Sequence, residues 1–495
     1  MQLWMLVCMF LLAFLPPAPV ATGPLRRVNA PFFSGTIDWN TSAIFWFGRV
    51  DVANGVAPVP GRNYADVRVA YTPAELQVFV SVVDYYLWHE FAPDQSSNPT
   101  SYDHDGVALY LDVNGDRSTA PATDDYVFLA KWSLESEQSS RPYQRQARGN
   151  GAGWNNAWNG TWRHVPGAQW SCDPGPNDNA CGLDYGWAIT FRVPWSTLGL
   201  GGPPHGRLLG MGLQLFDRDD RVESGIAPVQ TWPEGVGSAR PATWGGLWLG
   251  PPTYNAGLAR AEGTTTIRRG LAGSIVADAG VGADGACNGG HEGNPDSPIK
   301  PGSNPPIARG EDTSVWVASQ AAITDFPCFA RTYLRFGLDQ IPAGKVIISA
   351  RLTMTHWSQS GDLNAANPDD RPQPSFVQLF TVDPGWTETG VTWNNGPLAR
   401  QNLGGVTIAP RRPGEPLFPG VAYSWDATAA VAEAYVAGTP VDLALYTADT
   451  RMHSSKYLHA SEAGEFIATA RPTLIITWGV PVEVKSRVFL PHVST

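Results

Sequence analysis

Charged residues are scarce in this sequence. Asp, Glu, Lys and Arg together make up 16% of the 495 residues, and the formal net charge is −11. Nucleic acids and anionic membrane surfaces are bound through basic patches. The composition therefore argues against both as partners. It also disfavours a broad electrostatic grip on an acidic polysaccharide, although a local basic groove is compatible with it.

Long apolar runs are also missing, apart from one at the N-terminus that extends to about Leu15. A run of about 13 apolar residues followed by small residues is typical of a secretory signal and is short for a membrane span. We therefore predict a signal peptide over residues 1–23 and a secreted or cell-surface protein with no transmembrane span after cleavage. Because Arg26 and Arg27 follow the run and no positive charge precedes it, an uncleaved anchor is the alternative.

Cysteine is rare, with five residues, and Cys8 lies in the predicted signal. In an exported protein the other four are expected to form two structural disulfides in irregular loops. Proximity favours pairing Cys172 with Cys181 and Cys287 with Cys328, but four cysteines allow three connectivities.

Catalytic signatures are missing as well. The sequence contains no GxSxG, HExxH or P-loop pattern. The segment Gly280–Gly285 fits GxGxxG, but no amphipathic helix follows it, as a dinucleotide site requires. A pair of glycosidase carboxylates has no sequence signature of its own. Nothing in these patterns indicates an enzyme.

Turn residues are plentiful: the chain has 52 Gly and 43 Pro. They separate short runs that favour β-strands, such as Tyr64–Tyr71 and Gly106–Asp112. We predict an all-β fold with two antiparallel, jelly-roll-like β-sandwich domains in tandem. The second domain should contain one short helix over residues 427–437, capped by Asp426 and ended by Gly438.

Three segments of the first half occur in a recognisable order: Asp103–Asp112, Gly186–Gly199 and Pro241–Leu249. In this order they resemble the family 9-like carbohydrate-binding modules, over about residues 30–250. That family usually carries a glutamate where Thr190 stands. The resemblance implies a two-sheet β-sandwich and glycan binding.

The second half contains a more specific set of segments. They are Arg331–Phe336, Ile341–Ile347, the tryptophan-bracketed stretch 386–397, Trp425–Thr428, Lys456–Glu462 and Arg471–Leu474. Together they resemble the DNRLRE domain, which is grouped with the alginate-type carbohydrate-binding modules of family 96, over about residues 270–480. The stretch 281–311 departs from the compact turn of that family. Residues 251–269 then form a linker, and 481–495 a tail that is either a docking or sorting tag or an edge strand.

Tryptophan is frequent, with 20 residues. Its flat apolar face either fills a core or stacks on a flat ligand such as a pyranose ring. Those within strand signatures, such as Trp187, Trp244 and Trp386, are predicted to be core. Another set has Gly, Asn, Pro and Arg as neighbours and is expected in exposed loops, where binding residues concentrate. With Trp88, these are the candidate ligand contacts: Trp154, Trp158, Trp162 and Trp170.

Two further kinds of ligand contact are predicted. Arg335 and Lys456 of the second module are candidates to pair with uronate carboxylates. Asp112, Asn114 and Asp116 place oxygen atoms at positions 1, 3 and 5 of a loop, a spacing that suits a structural calcium ion. Because the loop lacks the glycine and glutamate of an EF-hand, a plain turn with solvent-facing acids is the alternative.

Both resemblances are to binding modules, and they leave no stretch large enough for a separate catalytic domain. The sequence therefore predicts a secreted, non-catalytic carbohydrate-binding protein whose two modules recognise cell-wall or uronic-acid polysaccharides. One alternative is a haem-binding electron-transfer sandwich that uses His89, His104 or Met211. The other is a structural or adhesive cell-surface protein that binds another protein. The sequence does not indicate an oligomeric state.

Overall fold

A computed structural model describes eleven parts of the chain. They are residues 25–49, 63–87, 105–131, 144–170, 184–218, 229–282, 314–317, 319, 326, 329–415 and 418–482. Within them no helix is long and apolar enough to cross a membrane. Several predictions concern residues outside the described parts and stay predictions. They are the signal, Trp88, the four cysteines expected to form disulfides and nearly all of the tail.

Strands make up most of the first half. They are β1 (Arg27–Ala30), β2 (Ala43–Gly48), β3 (Tyr64–Tyr71), β4 (Glu75–Val83), β5 (Gly106–Asp112), β6 (Asp125–Lys131), β7 (Gln144–Gly149), β8 (Trp154–Asn155), β9 (Arg163–Trp170), β10 (Gly186–Pro194), β11 (Leu208–Phe216), β12 (Val229–Trp232) and β13 (Gly245–Leu249). Short 3-10 turns lie at Trp39–Thr41 and Pro241–Thr243.

The second half adds eleven strands and the helix to the described structure. They are β14 (Ala259–Arg268), β15 (Val276–Gly282), β16 (Ser314–Val317), β17 (Ala330–Phe336), β18 (Val346–Gln359), β19 (Ser375–Val382), β20 (Ala399–Ile408), β21 (Val421–Asp426), α1 (Thr428–Ala437), β22 (Val441–Thr447), β23 (Lys456–His459) and β24 (Thr473–Pro481). The predicted all-β fold is confirmed.

In the first half an antiparallel sheet in the order β2-β3-β4-β10-β9 covers one side of the core. Its inward side chains alternate along each strand, as period 2 requires. Leu76, Val78 and Val80 of β4 are fully buried, whereas Gln77 and Phe79 face outward and are half-buried. This alternation leaves polar side chains on the outer face of the sheet.

In the second half the sheet β14-β24-β18-β23-β16, with β21 paired to β18, packs over the strands β15, β17, β22, β19 and β20. β14 lies within the stretch predicted as a linker, and it pairs with β24 along its length. The helix begins at Thr428, one residue later than predicted. Its N-cap residue is Ala427 and not Asp426, although Asp426 accepts the backbone N–H of Thr428. The helix ends at Gly438, whose φ of 67° is left-handed and suits glycine.

One sheet runs through both halves. β1 pairs in parallel with β13 of the first half and touches β20 of the second half through Arg27 and Gln401. The neighbouring Asn29 and Asn402 exchange hydrogen bonds, with the Asn29 backbone N–H donating to the Asn402 side chain at 2.7 Å. An aromatic cluster that contains Trp46 and residues of both halves fills the space beside this sheet. The two sandwiches are thus joined by buried contacts.

Candidate functional site

The outer face of the sheet β2-β3-β4-β10-β9 carries a cleft of about 660 Å³. Its lining includes a tryptophan and several polar side chains: Ser34, Thr36, Trp39, Glu75, Gln77 and Arg192. Strand register places Gln77 opposite Arg192, so both side chains project from the same face of the sheet. The cleft is therefore floored by rigid strands, which hold side chains more accurately than loops do.

The polar groups of the cleft are fixed by one another. The Nε atom of Arg192 donates to Oε1 of Glu75 at 2.6 Å, and the amide nitrogen of Gln77 donates to the same oxygen at 2.8 Å. The Arg192 side chain is 32% exposed and that of Glu75 is 11% exposed. Charge-assisted hydrogen bonds of this kind are strong and hold the three side chains in fixed positions.

Trp39 forms the apolar wall. It begins the 3-10 turn Trp39–Thr41, which Asp38 caps by accepting the backbone N–H of Asn40 at 3.1 Å. The side-chain oxygen of Asn40 accepts the backbone N–H and the hydroxyl of Thr450, both at 2.8 Å. The second half of the chain thus holds this turn in place. The Trp39 ring is half-buried and lies 5.5 Å from the Phe79 ring.

The departure at Thr190 falls on this same face. Thr190 pairs with Phe79 across the β4–β10 ladder and is half-buried, two residues before Arg192. Glu75 pairs with Pro194, four positions further along the same ladder. Glu75, and not position 190, is among the residues that line the cleft.

The predicted tryptophan quartet does not form one exposed surface. Trp162 is only 6% exposed and stacks on Phe191 at 5.9 Å in the core, so its expected exposure is corrected. Trp158 is half-buried against Tyr126, with ring centroids 5.2 Å apart. The Trp170 backbone ends β9, and its side chain is outside the described part of the structure. The Gly-rich and Asn-rich neighbours that predicted exposure accompany loops that fold back over the sheet.

Trp154 lies on the other face of the sheet from Trp158. Its indole N–H donates to the Ser238 carbonyl at 2.9 Å, and its ring is nearly parallel to that of buried Trp244, with centroids 6.4 Å apart. Trp154 packs on a buried cluster that contains Tyr110, Phe216 and Trp244, whereas Trp158 packs on the core of the first sandwich. The two rings therefore cannot stack on one ligand together.

The two predicted cations are engaged within the protein. The Nε atom of Arg335 pairs with Asp442 at 2.7 Å, and its guanidinium lies 4.8 Å from the Trp386 ring. Lys456 has no exposed surface, and its Nζ donates to the carbonyls of Gln373 and Ser454 at 2.7 and 2.6 Å. Lys456 thus presents no atom to solvent, and the carbonyls replace the water that would otherwise hydrate its ammonium group.

The loop predicted for calcium is a tight turn whose side-chain oxygens accept backbone N–H groups. The Asp112 carboxylate accepts from Gly115 at 2.7 Å and from Arg117 at 3.0 Å. Asn114 accepts from Asp116 at 2.8 Å. Each of these oxygens keeps a lone pair that could bind a cation. The hydrogen bonds are therefore compatible with calcium and with a plain turn, and calcium stays a prediction.

Two other acidic groups bring ligand atoms within 4.8 Å of one another among the described residues. One is Asp84, Asp105 and Asp217, all buried; the other is Asp278, Glu388 and Glu462. Burial raises the pKa of Asp84, which accepts the Tyr86 N–H and the Trp187 indole N–H. Hard cations such as calcium take oxygen ligands of this kind.

A comparison with family models agrees with the resemblance of the second half. A model of carbohydrate-binding module family 96 matches residues 292–477. Similar solved structures are a family 9 carbohydrate-binding module from Caldicellulosiruptor kristjanssonii in complex with cellotriose and with glucose. They cover 48% and 46% of this chain and 100% and 98% of the module, at 15% identity and TM-scores of 0.31 and 0.30. Structural likeness at this level says nothing about the ligand of this chain. No curated protein matches the sequence.

Sequence reasoning missed the cleft at Trp39. Trp39 lies between the polar residues Asp38 and Asn40, and no binding signature includes it. Glu75 and Gln77 belong to a run that predicts a strand and not a binding site. The available signal was the alternation of Glu75 and Gln77 with buried Leu76 and Val78, which puts two long polar side chains side by side. Arg192 and Trp39 come from distant segments, so only the fold joins them to this pair.

Proposed function

We propose that this chain is a secreted, non-catalytic carbohydrate-binding protein and that the Trp39 cleft is its sugar-binding site. The observation that carries the proposal is one half-buried tryptophan beside a fixed set of Glu75, Gln77 and Arg192. An aromatic face stacks on the apolar face of a pyranose ring. The polar set hydrogen-bonds the ring hydroxyls. The match of the second half to a carbohydrate-binding family supports the same function.

The cleft suits polysaccharide better than a single buried sugar. It is open at the surface and larger than one ring needs, so several sugar units of a cell-wall or uronic-acid chain can lie along it. Arg192 offers a guanidinium for a uronate carboxylate, and Glu75 an acceptor for hydroxyls. The half-buried rings of Trp154 and Trp158 stay candidates for separate sugar contacts.

A second binding surface would raise retention on a polymer. When one of two weak sites on a chain is bound to a polysaccharide, the effective concentration of the polymer at the other site is high. The avidity of the whole chain then exceeds the affinity of either site alone. The buried junction between the halves fixes the distance between such surfaces, which favours a repeating ligand. Secretion by the predicted signal would bring the protein to such polymers.

A glycan array and a set of immobilised neutral and uronic-acid polysaccharides test the proposal. We expect retention on at least one polysaccharide, and Trp39→Ala should weaken it about tenfold or more, the equivalent of losing one stacking contact. Trp248→Ala is the matched control, because this half-buried tryptophan bonds its indole N–H to the Pro251 carbonyl away from the cleft. Equal retention of both variants, or silence across the array, would contradict the proposal.

A further inference from the structure

A second cavity, of about 210 Å³, lies at the junction of the two halves. The first half contributes Trp46, Arg49 and Tyr64 to its lining, and the second half contributes Arg331, Trp393 and Asn395. None of these residues lines the Trp39 cleft. We name this space the junction cavity. Drug-sized ligands occupy about 300–1,000 Å³, so this cavity suits a smaller group.

Arg331 is the central residue of the junction cavity. It is 2% exposed, and its guanidinium carbon lies 3.8 Å from the Trp393 ring and 4.5 Å from the Trp46 ring. The rings of Tyr64 and Tyr446 lie 5.8 and 5.6 Å away. A cation held against aromatic faces is stabilised by their quadrupoles. Rings accept no strong hydrogen bonds, however, so they leave the N–H groups unsatisfied.

Several hydrogen-bond donors of residues that line this cavity have no hydrogen-bond partner in the described structure. Within the described part of the chain, Nε and Nη1 of Arg331 have no hydrogen-bond partner, and the same holds for the indole nitrogen of Trp46. Trp46 is 1% exposed, so bulk water has little access to its indole nitrogen. A buried donor without a partner destabilises the fold, and a charged one does so more strongly. Three such donors beside one cavity point to an acceptor that the protein itself does not supply.

Asp66, the acid that acts electrostatically on Arg331, already accepts hydrogen bonds from other side chains. Asp66 accepts hydrogen bonds from the hydroxyls of Tyr64 at 2.6 Å, Tyr446 at 2.8 Å and Ser319 at 3.0 Å. Burial raises the pKa of Asp66, which weakens it further as a counter-ion. Arg331 forms no ion pair among the described residues. Burial acts to lower the pKa of Arg331, but Tyr333, Tyr64, Tyr446 and Asp66 raise it overall, so the guanidinium is charged.

We propose that the junction cavity binds a small oxyanion, which Arg331 and the indole N–H of Trp46 hold and which stabilises the contact between the two halves. Guanidinium groups bind planar oxyanions through two N–H groups at once. The exposed Arg49 lies at the edge of the cavity. The oxyanion is a free inorganic or organic anion or the carboxylate of a sugar acid. This site is separate from the proposed sugar cleft and does not depend on it.

Thermal unfolding of the full chain tests this site. Sulfate, phosphate, acetate and glucuronate are titrated at constant ionic strength, with chloride as the reference. We expect at least one of them to raise Tm by about 1–3 °C in a saturable way, since a ligand of the native state stabilises it by mass action. A larger effect of glucuronate than of acetate identifies a sugar acid, and equal effects identify a free anion. No saturable rise with any of the four would overturn the proposal.

Variants separate a specific site from the general stabilisation that sulfate and phosphate give by exclusion. Arg331→Met should abolish the saturable rise. Arg335→Met is the matched control, because this arginine lies on the same strand and against Trp386 but is paired with Asp442, and it should leave the rise unchanged. An equal rise in the Arg331→Met variant contradicts the proposal.

A rim variant covers the case in which Arg331→Met does not fold. Asn395 is exposed and its oxygen accepts the Thr392 N–H, a bond that Asn395→Asp retains, whereas its 2.9 Å donation to the Gly390 carbonyl is lost. The Tm of the variant in chloride is therefore its own reference, and the added negative charge should raise the concentration of anion needed for half the Tm shift about tenfold. An unchanged half-point would count against the cavity as the binding place.

Discussion

The hydroxyl of Tyr446 donates a 2.8 Å hydrogen bond to the carboxylate of Asp66, although the two residues are 380 positions apart. Arg68, two positions further along β3 and on the same face as Asp66, donates to the carbonyls of Ala448 and Asp449 at 3.0 and 3.1 Å. All of these groups are buried. Such contacts give the two halves a shared polar core, and a shared core couples their unfolding.

We expect the full chain to unfold in one cooperative transition. Asp66→Ala should lower the stability of the whole chain by on the order of 3 kcal/mol, because it leaves buried hydroxyl donors without an acceptor. Scanning calorimetry measures both effects. Asp339→Ala, at an exposed position, is the control and should change Tm little. Two separate transitions, only one of which shifts in Asp66→Ala, would show that the halves unfold independently.

Local pattern predicted the strands well and the junction not at all. The alternating run at Tyr64–Tyr71 became β3 with the bounds expected. Asp66 and Arg68 alternate with the apolar residues of this run, a pattern that is typical of solvent-facing charges, since nothing in a strand shows what another segment will place over it. They are buried because residues of the second half cover them. Contacts over such distances leave no periodicity in the sequence.

The tryptophans show the same limit at the candidate site. Neighbouring Gly and Asn residues predicted irregular loops around Trp154 and Trp158; Trp158 lies outside any strand, whereas Trp154 begins the short strand β8. They did not show whether a ring turns outward or folds back on the sheet, because that depends on the space above Tyr126 and Tyr110. Trp39 lies between Asp38 and Asn40, and it borders the cleft on the sheet β2-β3-β4-β10-β9.

Trp158→Ala should destabilise the protein. The ring packs on the edge of the core against Tyr126 and Phe128, and it covers Gly160. Removing a partly buried aromatic ring costs about 1–3 kcal/mol, less than the full cost of a core tryptophan. A urea titration measures the loss. Trp39→Ala is the comparison and should cost less, and an unchanged midpoint for Trp158→Ala would return this ring to the list of free ligand contacts.

Calcium at the loop predicted from the sequence should stabilise the fold. Burial raises the pKa of Asp125 to about 7, and the nearby charges of Asp112 and Asp124 add to this rise. A divalent cation among these acids would relieve their repulsion. We expect a chelator to lower Tm, added calcium to restore it, and Asp116→Ala to abolish the response. A Tm that ignores the chelator would leave the loop as a plain turn.

Stability should fall as pH rises from about 4 to about 7, in part because of Asp278. Burial raises the pKa of this carboxyl to about 7, and the charge of Glu388 adds to the rise, while Arg269 and the Ser461 N–H oppose it. An unfolded Asp titrates near 3.9, so between these values the folded state binds more protons than the unfolded state. The stabilising proton is present below about pH 4 and is lost as pH passes through 7.

Asp278→Asn removes this titration, because the amide resembles the protonated acid. The variant should lose less stability than the natural chain between pH 4 and pH 7, and at pH 8 it should be the more stable of the two, by on the order of a few kcal/mol at most. Other buried acids act alike in both proteins, so the difference between their Tm–pH curves isolates Asp278. Asp369→Asn, at an exposed position, should leave the curve unchanged. Parallel curves for the natural chain and Asp278→Asn would show that this carboxyl does not carry the pH dependence.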